Sequence, residues 1–484
     1  MASLQLYNSA TRRQERFVSL KPGKVGIYLC GPTVYSLVHL GNARSAVTFD
    51  LLVRYLRYLK YDVCYVRNIT DVGHLTEIEG GEDKIIAQAK REACLPMAVA
   101  QKYRAHYDDV MKALNVVPPT ITPCATGHIT EQIFLAQQIL KRGMAYEVEG
   151  SLYFDLPRYH AQYGYGQLSG RKIEEMRSGS RPLLASNQKR HPLDFALWKA
   201  APQGHLMYWN SPWGDGFPAW HLECTAMSAK YLGLTFDIHG GGLDLCFPHH
   251  ECEIAQAQAA FDAPPARYWL HHNLVTWEGQ KMSKSKGNAI TVAQILAKYP
   301  PMVLRFFLLQ THYRSPLNFT YNALEAAQTG YYRLMNGLLL LEKLETTPEN
   351  IEGVCDQAVK DHLVDAHKAM QADLHTPKAV GALFGLCKIV QRAVAASSPL
   401  LSQASAVQLS QGYTTFVTTL LGLKPPTIVA NPLLTPLVDI YKERKKAKDQ
   451  QSLTTLRKVF ASQGIAVQER PKTVFFGVKH PKNE

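Results

Sequence analysis

Apolar residues along this chain change their period several times, and each change marks an element. Residues 25–30 form a short apolar run rich in strand formers, stopped by Gly31-Pro32. Beyond Gly41, the residues Val47, Leu51, Leu52, Tyr55, Leu56 and Leu59 recur at helical spacing, which predicts a helix with one apolar face. Residues 63–69 read as a second strand, and residues 82–114 as one long helical stretch that Pro118-Pro119 stops. Gly127 leads a further helix closed by Gly143, and residues 146–154 predict a hairpin turned at Glu149-Gly150.

A polar run follows through Arg171, Lys172, Arg177, Arg181, Lys189 and Arg190, read either as a solvated loop or as a basic contact surface. After Pro300-Pro301, helix formers dominate to Gly422 with an interruption at 346–350, which predicts a helical bundle. Breaks at 424–427 and at Asn431-Pro432 set off a last segment. There Lys442, Arg444, Lys445, Lys446 and Lys448 predict a basic helix, with Arg457 and Lys458 further on, then Gly464-Ile465 and an extended stretch at 473–478.

At 484 residues and 46% hydrophobic content, the chain can bury a large core and divide into several domains. Lys+Arg 53 against Asp+Glu 40 gives +13, and a pI of about 9.2 suits a protein that binds RNA. Nine cysteines, an odd number scattered from Cys30 to Cys387, do not form a disulfide framework. The start has no secretory apolar core and no stretch is long enough to cross a membrane, so a reducing cytoplasm is the default expectation.

The densest chemistry lies at Lys281-Met-Ser-Lys-Ser285, where two ammonium groups and two hydroxyls within five residues suit a loop that folds over a polyphosphate. A plain solvated basic loop is the alternative. A second phosphate-suited element lies upstream, where His39 and Asn42 sit at the junction between the first strand and its helix. The free N–H groups and positive dipole end of such a helix attract phosphate, and an imidazole or amide donor adds direction. Taken alone, His39 reads as an ordinary surface histidine.

Cys30 ends the first strand, Cys224 lies in Trp220-His-Leu-Glu-Cys-Thr-Ala-Met227, and Phe247-Pro-His-His-Glu-Cys-Glu253 opens a helix. His249 and Glu253, spaced i and i+4, project from one helical face. Two thiolates, an imidazole and a carboxylate make a four-ligand zinc set. His250, Cys246 and Cys252 compete for the same role, and buried small cysteines beside a capping histidine would explain the pattern without metal.

The two phosphate elements together resemble the "HIGH" and "KMSKS" signature pair of class I aminoacyl-tRNA synthetases. The downstream motif matches letter for letter; upstream, Leu40 replaces Ile and Asn42 replaces the second His, an amide that still donates but carries no charge. Nearly the whole chain is similar to the cysteinyl-tRNA synthetase family of bacterial type, through Leu6-Tyr-Asn8, Pro22-Gly-Lys-Val25, Cys30-Gly-Pro-Thr-Val-Tyr35, Asn68-Ile-Thr-Asp71, Asp194-Phe-Ala-Leu-Trp198-Lys199 and Gly240-Gly-Gly-Leu-Asp244.

The resemblance implies an α/β fold: a Rossmann-type parallel-sheet catalytic domain over 1–120 and 208–300, a connective insertion at 121–207, an α-helical tRNA-binding domain at 301–425 and a small C-terminal module at 426–484. It implies ATP-dependent joining of L-cysteine to tRNA(Cys) by a monomer. His39, Asn42, Lys281 and Lys284 would be catalytic, and Gly41, Gly242 and Asp244 would join His39 and Lys284 around ATP. Trp220 and Thr33 would meet the amino acid, and Cys30, Cys224, His249 and Glu253 would hold Zn2+, with Mg2+ accompanying the ATP. Cys246 and Cys252 fall where the family commonly has Gln and Asn. Residues 240–242 can equally be a simple turn, and Trp220 an ordinary core aromatic.

The polar run from Arg171 would then meet the tRNA acceptor end. In the C-terminal module, Phe475-Phe476 stands where the family usually has Trp, so an aromatic there either stacks on an anticodon base or packs the basic helix. Two other functions remain on the sequence alone. One is a related ligase that joins cysteine to an aminosugar, which lacks the long region after Lys298; the other is a non-catalytic RNA-binding paralogue, supported only by Asn42.

Overall fold

The structure is a computed structural model that describes residues 3–72, 83–173, 188–282, 290–348, 351–426, 440–441, 443–445, 447–462, 465–470 and 473–478. Its contacts divide the chain into two compact units. The first comprises residues 1–289, 311–319 and 365–380; the second comprises 290–310, 320–364 and 381–484.

Four parallel strands form the centre of the first unit: β1 (Lys24–Leu29), β2 (Asp62–Arg67), β3 (Phe236–Gly242) and β4 (Ala266–His272), in the spatial order β4-β3-β1-β2. Helix α1 (Leu40–Tyr58) connects β1 to β2, α2 (Trp220–Leu232) precedes β3, and α3 (Glu251–Phe261) connects β3 to β4. Strands buried on both faces need near-continuous apolar runs, which is what Val25, Ile27, Tyr28 and Leu29 supply. The predicted apolar stripe of α1 is buried at Val47, Leu51, Leu52, Tyr55 and Leu56, each such side chain contributing about 1.5–3 kcal/mol. Tyr28, Val66, Cys224, Met227, Phe236 and Trp269 pack into one core that joins sheet and helices.

The chain runs outward from β1 to β2 in one direction and, after the insertion, from β3 to β4 in the other. β1 and β3 are therefore neighbours at a topological switch point, and the crevice beyond their carboxyl ends is where open α/β sheets place ligands. Gly240 keeps that junction close. A Cβ there would lie 2.1 Å from the Phe49 ring of α1.

Some elements differ from the sequence expectation. The stretch expected as one helix over 82–114 is two helices, Lys84–Glu92 and Pro96–Ala113. Ala93 takes a left-handed conformation at φ 51°, and Pro96, which lacks an N–H, begins the second helix where no donor is needed. Residues 240–242 are the end of β3 and not a turn. Gly127 lies in a tight turn, Ala125–His128, ahead of the helix Ile129–Lys141.

The expected hairpin is present. Ala145–Val148 pairs with Ser151–Phe154, and Glu149 and Gly150 both have positive φ, the geometry of a two-residue turn that follows the twist of the strands. These strands open a five-stranded antiparallel sheet completed by Phe195–Ala200, Gly214–Pro218 and Trp209–Ser211. Asp194 closes its base by accepting from Tyr146 Oη and from the backbone N–H groups of Leu156 and His191.

The second unit holds the helices Pro301–Leu309, Tyr321–Leu340 and Gln403–Thr414 and a terminal hairpin, Ile465–Arg470 with Thr473–Val478. Only the second of those two strands was expected. Among the described residues, no helix is long and apolar enough to cross a membrane.

Candidate functional site

Cys30 follows β1 directly, its backbone N–H donating to Gly240 O of β3, so its thiol lies at the switch point itself. Cys224 is one turn inside α2. Glu253 lies in the first turn of α3, and His249 stands four residues earlier on the turn that leads into it. The structure brings one ligand atom from each of Cys30, Cys224, His249 and Glu253 within 4.8 Å of one another, all buried.

The separations fit a tetrahedral ion. The two sulfurs are 3.8 Å apart and Cys30 Sγ is 3.5 Å from Glu253 Oε1. Zinc–ligand bonds of about 2.3 Å to sulfur and about 2.0 Å to oxygen would set about 3.8 and 3.5 Å. His249 Nε2 lies 3.0 Å from Glu253 Oε1 without the geometry of a hydrogen bond. Glu253 is fixed from behind, where its Oε2 pairs with His239 Nε2 at 2.9 Å.

Burial would push the Glu253 carboxyl up, but His239 and His249 hold it well below the usual carboxylate range. Burial likewise disfavours a thiolate at Cys224, yet the Cys30 S–H and His249 bring it down to about 6. Cys30, buried beside that thiolate, is held well above its ordinary value. His249 rises to about 10 against burial, driven by Glu253 and Cys224. Exchanging the protons on Cys30 and His249 for one dication would leave the net charge of the site, ion included, unchanged, so the donor set fits zinc without a new charge to bury.

A second set of donors overlaps the first: Cys30, His239, His250 and Glu253. There His239 Nε2 is already turned onto Glu253, and His250 Nδ1 pairs with His271 Nε2, which continues to Ser9 Oγ. His239, His250 and His271 therefore read as the polar wall behind the four candidate ligands. None was singled out from the sequence as part of that wall. Their signal was position, since His239 and His271 lie toward the carboxyl ends of β3 and β4, where ligands collect. Cys252, an expected competitor, points instead to Tyr165 Oη at 3.4 Å.

Trp220 begins α2 and stacks on His249, ring centroids 4.1 Å apart and planes 22° off parallel. Opposite, Gly31 N–H donates to Asn68 Oδ1, which also lies 3.8 Å from Cys224 Sγ. Thr33, three residues after Cys30, is bridged to Thr70.

On the other side of the crevice, His39 is the N-cap of α1. Its Nδ1 accepts from Gly41 N–H at 3.1 Å, and Asn42 Oδ1 accepts from His39 N–H at 3.3 Å, two orphan donors satisfied reciprocally. An accepting Nδ1 fixes a neutral His39 as the Nε2–H tautomer. Asn42 thus has a structural use for its oxygen while its amide N–H groups remain donors. Gly242 and Asp244 lie at the end of β3 and in the turn after it. Lys281 closes a short hairpin, Val275–Trp277 with Gln280–Lys281; Lys284 and the rest of 283–289 lie outside the described residues, as do Arg177 and Arg181.

The family model of class I (C) tRNA synthetase catalytic domains matches residues 16–329. A cysteine–tRNA ligase of Cytophaga hutchinsonii is 47% identical over 96% of this chain and 97% of its own, and one of Thermus thermophilus is 46% identical over the same shares. The chain belongs to the cysteine–tRNA ligase family. The class I fold is shared by more distant solved structures. A Mycobacterium tuberculosis methionyl-tRNA synthetase in complex with methionyl-adenylate superposes with TM-score 0.57 at 15% identity, covering 82% of this chain and 89% of that one. An Agrobacterium radiobacter LeuRS–tRNA complex superposes with TM-score 0.59 at 12% identity, covering 84% and 85%.

Proposed function

We propose that the chain activates L-cysteine with ATP and transfers it to the 3′ end of tRNA(Cys), with both steps at the β1–β3 switch point. The observation that carries the choice of cysteine is the convergence of Cys30, Cys224, His249 and Glu253 beside the capped N-terminus of α1.

In the first step the cysteine carboxylate attacks the α-phosphate of ATP, forming the mixed anhydride and releasing pyrophosphate. The N–H groups at the start of α1 and the His39 Nε2–H would meet the phosphates, with the Asn42 amide beside them. Lys281 and Lys284 would neutralise charge that builds on the leaving pyrophosphate, Gly242 and Asp244 would border the nucleotide, and Mg2+ would accompany it. In the second step a terminal ribose hydroxyl of the tRNA attacks the activated carbonyl and AMP leaves.

Zinc held by Cys30, Cys224, His249 and Glu253 would favour the substrate's thiolate over serine's hydroxyl, because a thiol is a softer ligand and far more acidic than an alcohol. A pocket reading size alone separates such close analogues by only about 1–3 kcal/mol. Trp220 orients His249 by stacking and walls the cysteine side chain, while Thr33 lies at the entrance.

Residues 121–207 would face the acceptor end of the tRNA, 301–425 its stem and 426–484 its anticodon. We place the protein in the cytoplasm as a monomer. Cysteine-dependent exchange of labelled pyrophosphate into ATP, followed by charging of total tRNA, tests the reading. Exchange without charging would favour ligation to a small amine, and absence of exchange would rule out both enzymes.

A further inference from the structure

Arg44 lies one turn inside α1, five residues after the His39 cap, and its side chain is fully buried. Among the described residues no carboxylate pairs with it. Its guanidinium instead donates to four backbone carbonyls: Nη1 to Leu274 O at 2.7 Å, and Nη2 to His312 O at 3.2 Å, Tyr313 O at 3.2 Å and Ser315 O at 2.5 Å. A buried cation held only by carbonyl dipoles is a costly arrangement where an apolar side chain could pack. What it holds gives the reason.

Leu274 is the second of the two residues between β4 and the strand β5 (Val275–Trp277), and Ser315 lies just before the strand β7 (Leu317–Phe319); β5 and β7 pair in parallel. Leu274 O also accepts Leu317 N–H at 3.1 Å. β5 then reverses through Glu278 and Gly279, both at positive φ, into β6 (Gln280–Lys281). Asn318 Oδ1 of β7 accepts from Gly279 N–H at 2.8 Å and so fixes the turn. One rigid helix thus carries the phosphate-facing cap at its first residue and a fork that grips the root of the Lys281 hairpin one turn on.

We propose that Arg44 is a positioning residue for adenylate formation, setting the Lys281 hairpin against the N-terminus of α1. This rests on the reading that both elements act on one triphosphate. The role suits arginine and not lysine. A planar fork of five donors spans several carbonyls, whereas an ammonium offers three donors at one point.

The test compares full-length wild type with Arg44→Lys and Arg44→Gln in cysteine-dependent pyrophosphate exchange and in transfer from supplied cysteinyl-adenylate to tRNA. Each rate is normalised to titrated active sites. For either folded variant the expected result is a loss of about 10–100-fold in kcat/KM for ATP, the scale of a displacement near 1 Å, with the transfer step changed less than about threefold. Amide exchange should quicken over 274–282 and stay unchanged over 246–261. Unchanged ATP kinetics would overturn the proposal, as would an equal loss in both steps with ATP KM unaltered, which is the mark of a merely structural side chain. A wild type that exchanges no pyrophosphate would overturn the adenylation reading itself and this role with it.

Discussion

His249 Nε2 and Glu253 Oε1 face each other at 3.0 Å across one turn, without hydrogen-bond alignment, and both are buried. An imidazole and a carboxylate held that close without hydrogen-bond geometry are spaced as two ligands of one ion would be. Glu253→Gln keeps the shape and removes the charge, so metal content measured by mass spectrometry should fall from about one ion per chain to well under half of that. His250→Asn should leave the metal in place. Retention in the first variant and loss in the second would transfer the site to the overlapping set through His239 and His250.

The four candidate ligands were singled out before any coordinates by the family resemblance, and three of them also lie at element ends that the sequence marks: a strand stopped by Gly31-Pro32, and a helix entry carrying His249 and Glu253 at i, i+4. Of the histidines behind them only His250 was named, and as a rival ligand. His250 and His271 meet only because α3 returns the chain to β4 beside β3, a tertiary pairing with no local pattern. The same holds for the helix break at Ala93. Alanine is the strongest helix former, so the left-handed conformation of this exposed residue had no signal in its own type, and only Pro96 marked where the next helix starts. By contrast, the turn at Glu149-Gly150 is a local matter of positive φ and was legible. Arg44 carried no signal in the sequence, because its four acceptors are backbone atoms more than two hundred residues away.

His272 predicts how the fold responds to acid. Burial lowers its pKa to about 4, while an unfolded chain binds the proton near 6.5. Between those values the unfolded state holds more protons, so stability present above pH 6.5 is lost as pH falls toward 4. The contribution lost between pH 7.5 and 5 is about 2 kcal/mol. His221 and His271, also depressed by burial, add loss of the same sign. Urea unfolding of His272→Gln at the two pH values should show a gap smaller by about that amount; an undiminished gap would mean His272 is protonated in the folded chain.

Gly240 of β3 lies so close to Phe49 of α1 that an added Cβ would fall 2.1 Å from the ring. Gly240→Ala should cost about 1–3 kcal/mol or more, since the ring is walled by core and has little room to retreat. Adding Phe49→Leu should make the double variant more stable than Gly240→Ala alone in chemical denaturation. If the two losses simply add, the contact does not limit the junction.

Asn42 separates capping from phosphate contact. Asn42→Ala removes the acceptor for His39 N–H and should lower stability by about 1 kcal/mol. Asn42→Asp keeps an acceptor and places an anion in the first turn, where the helix dipole favours it, so stability should hold or rise slightly. The same anion would stand beside the triphosphate, and a like charge about 4 Å away costs about 1–4 kcal/mol between water and a protein-surface dielectric, enough to raise the KM for ATP about tenfold or more. Thermal melts together with ATP titrations of pyrophosphate exchange read the two effects separately. An Asp variant with wild-type KM would assign Asn42 to the cap alone and leave the phosphate contacts at this end to His39 and the backbone N–H groups of α1.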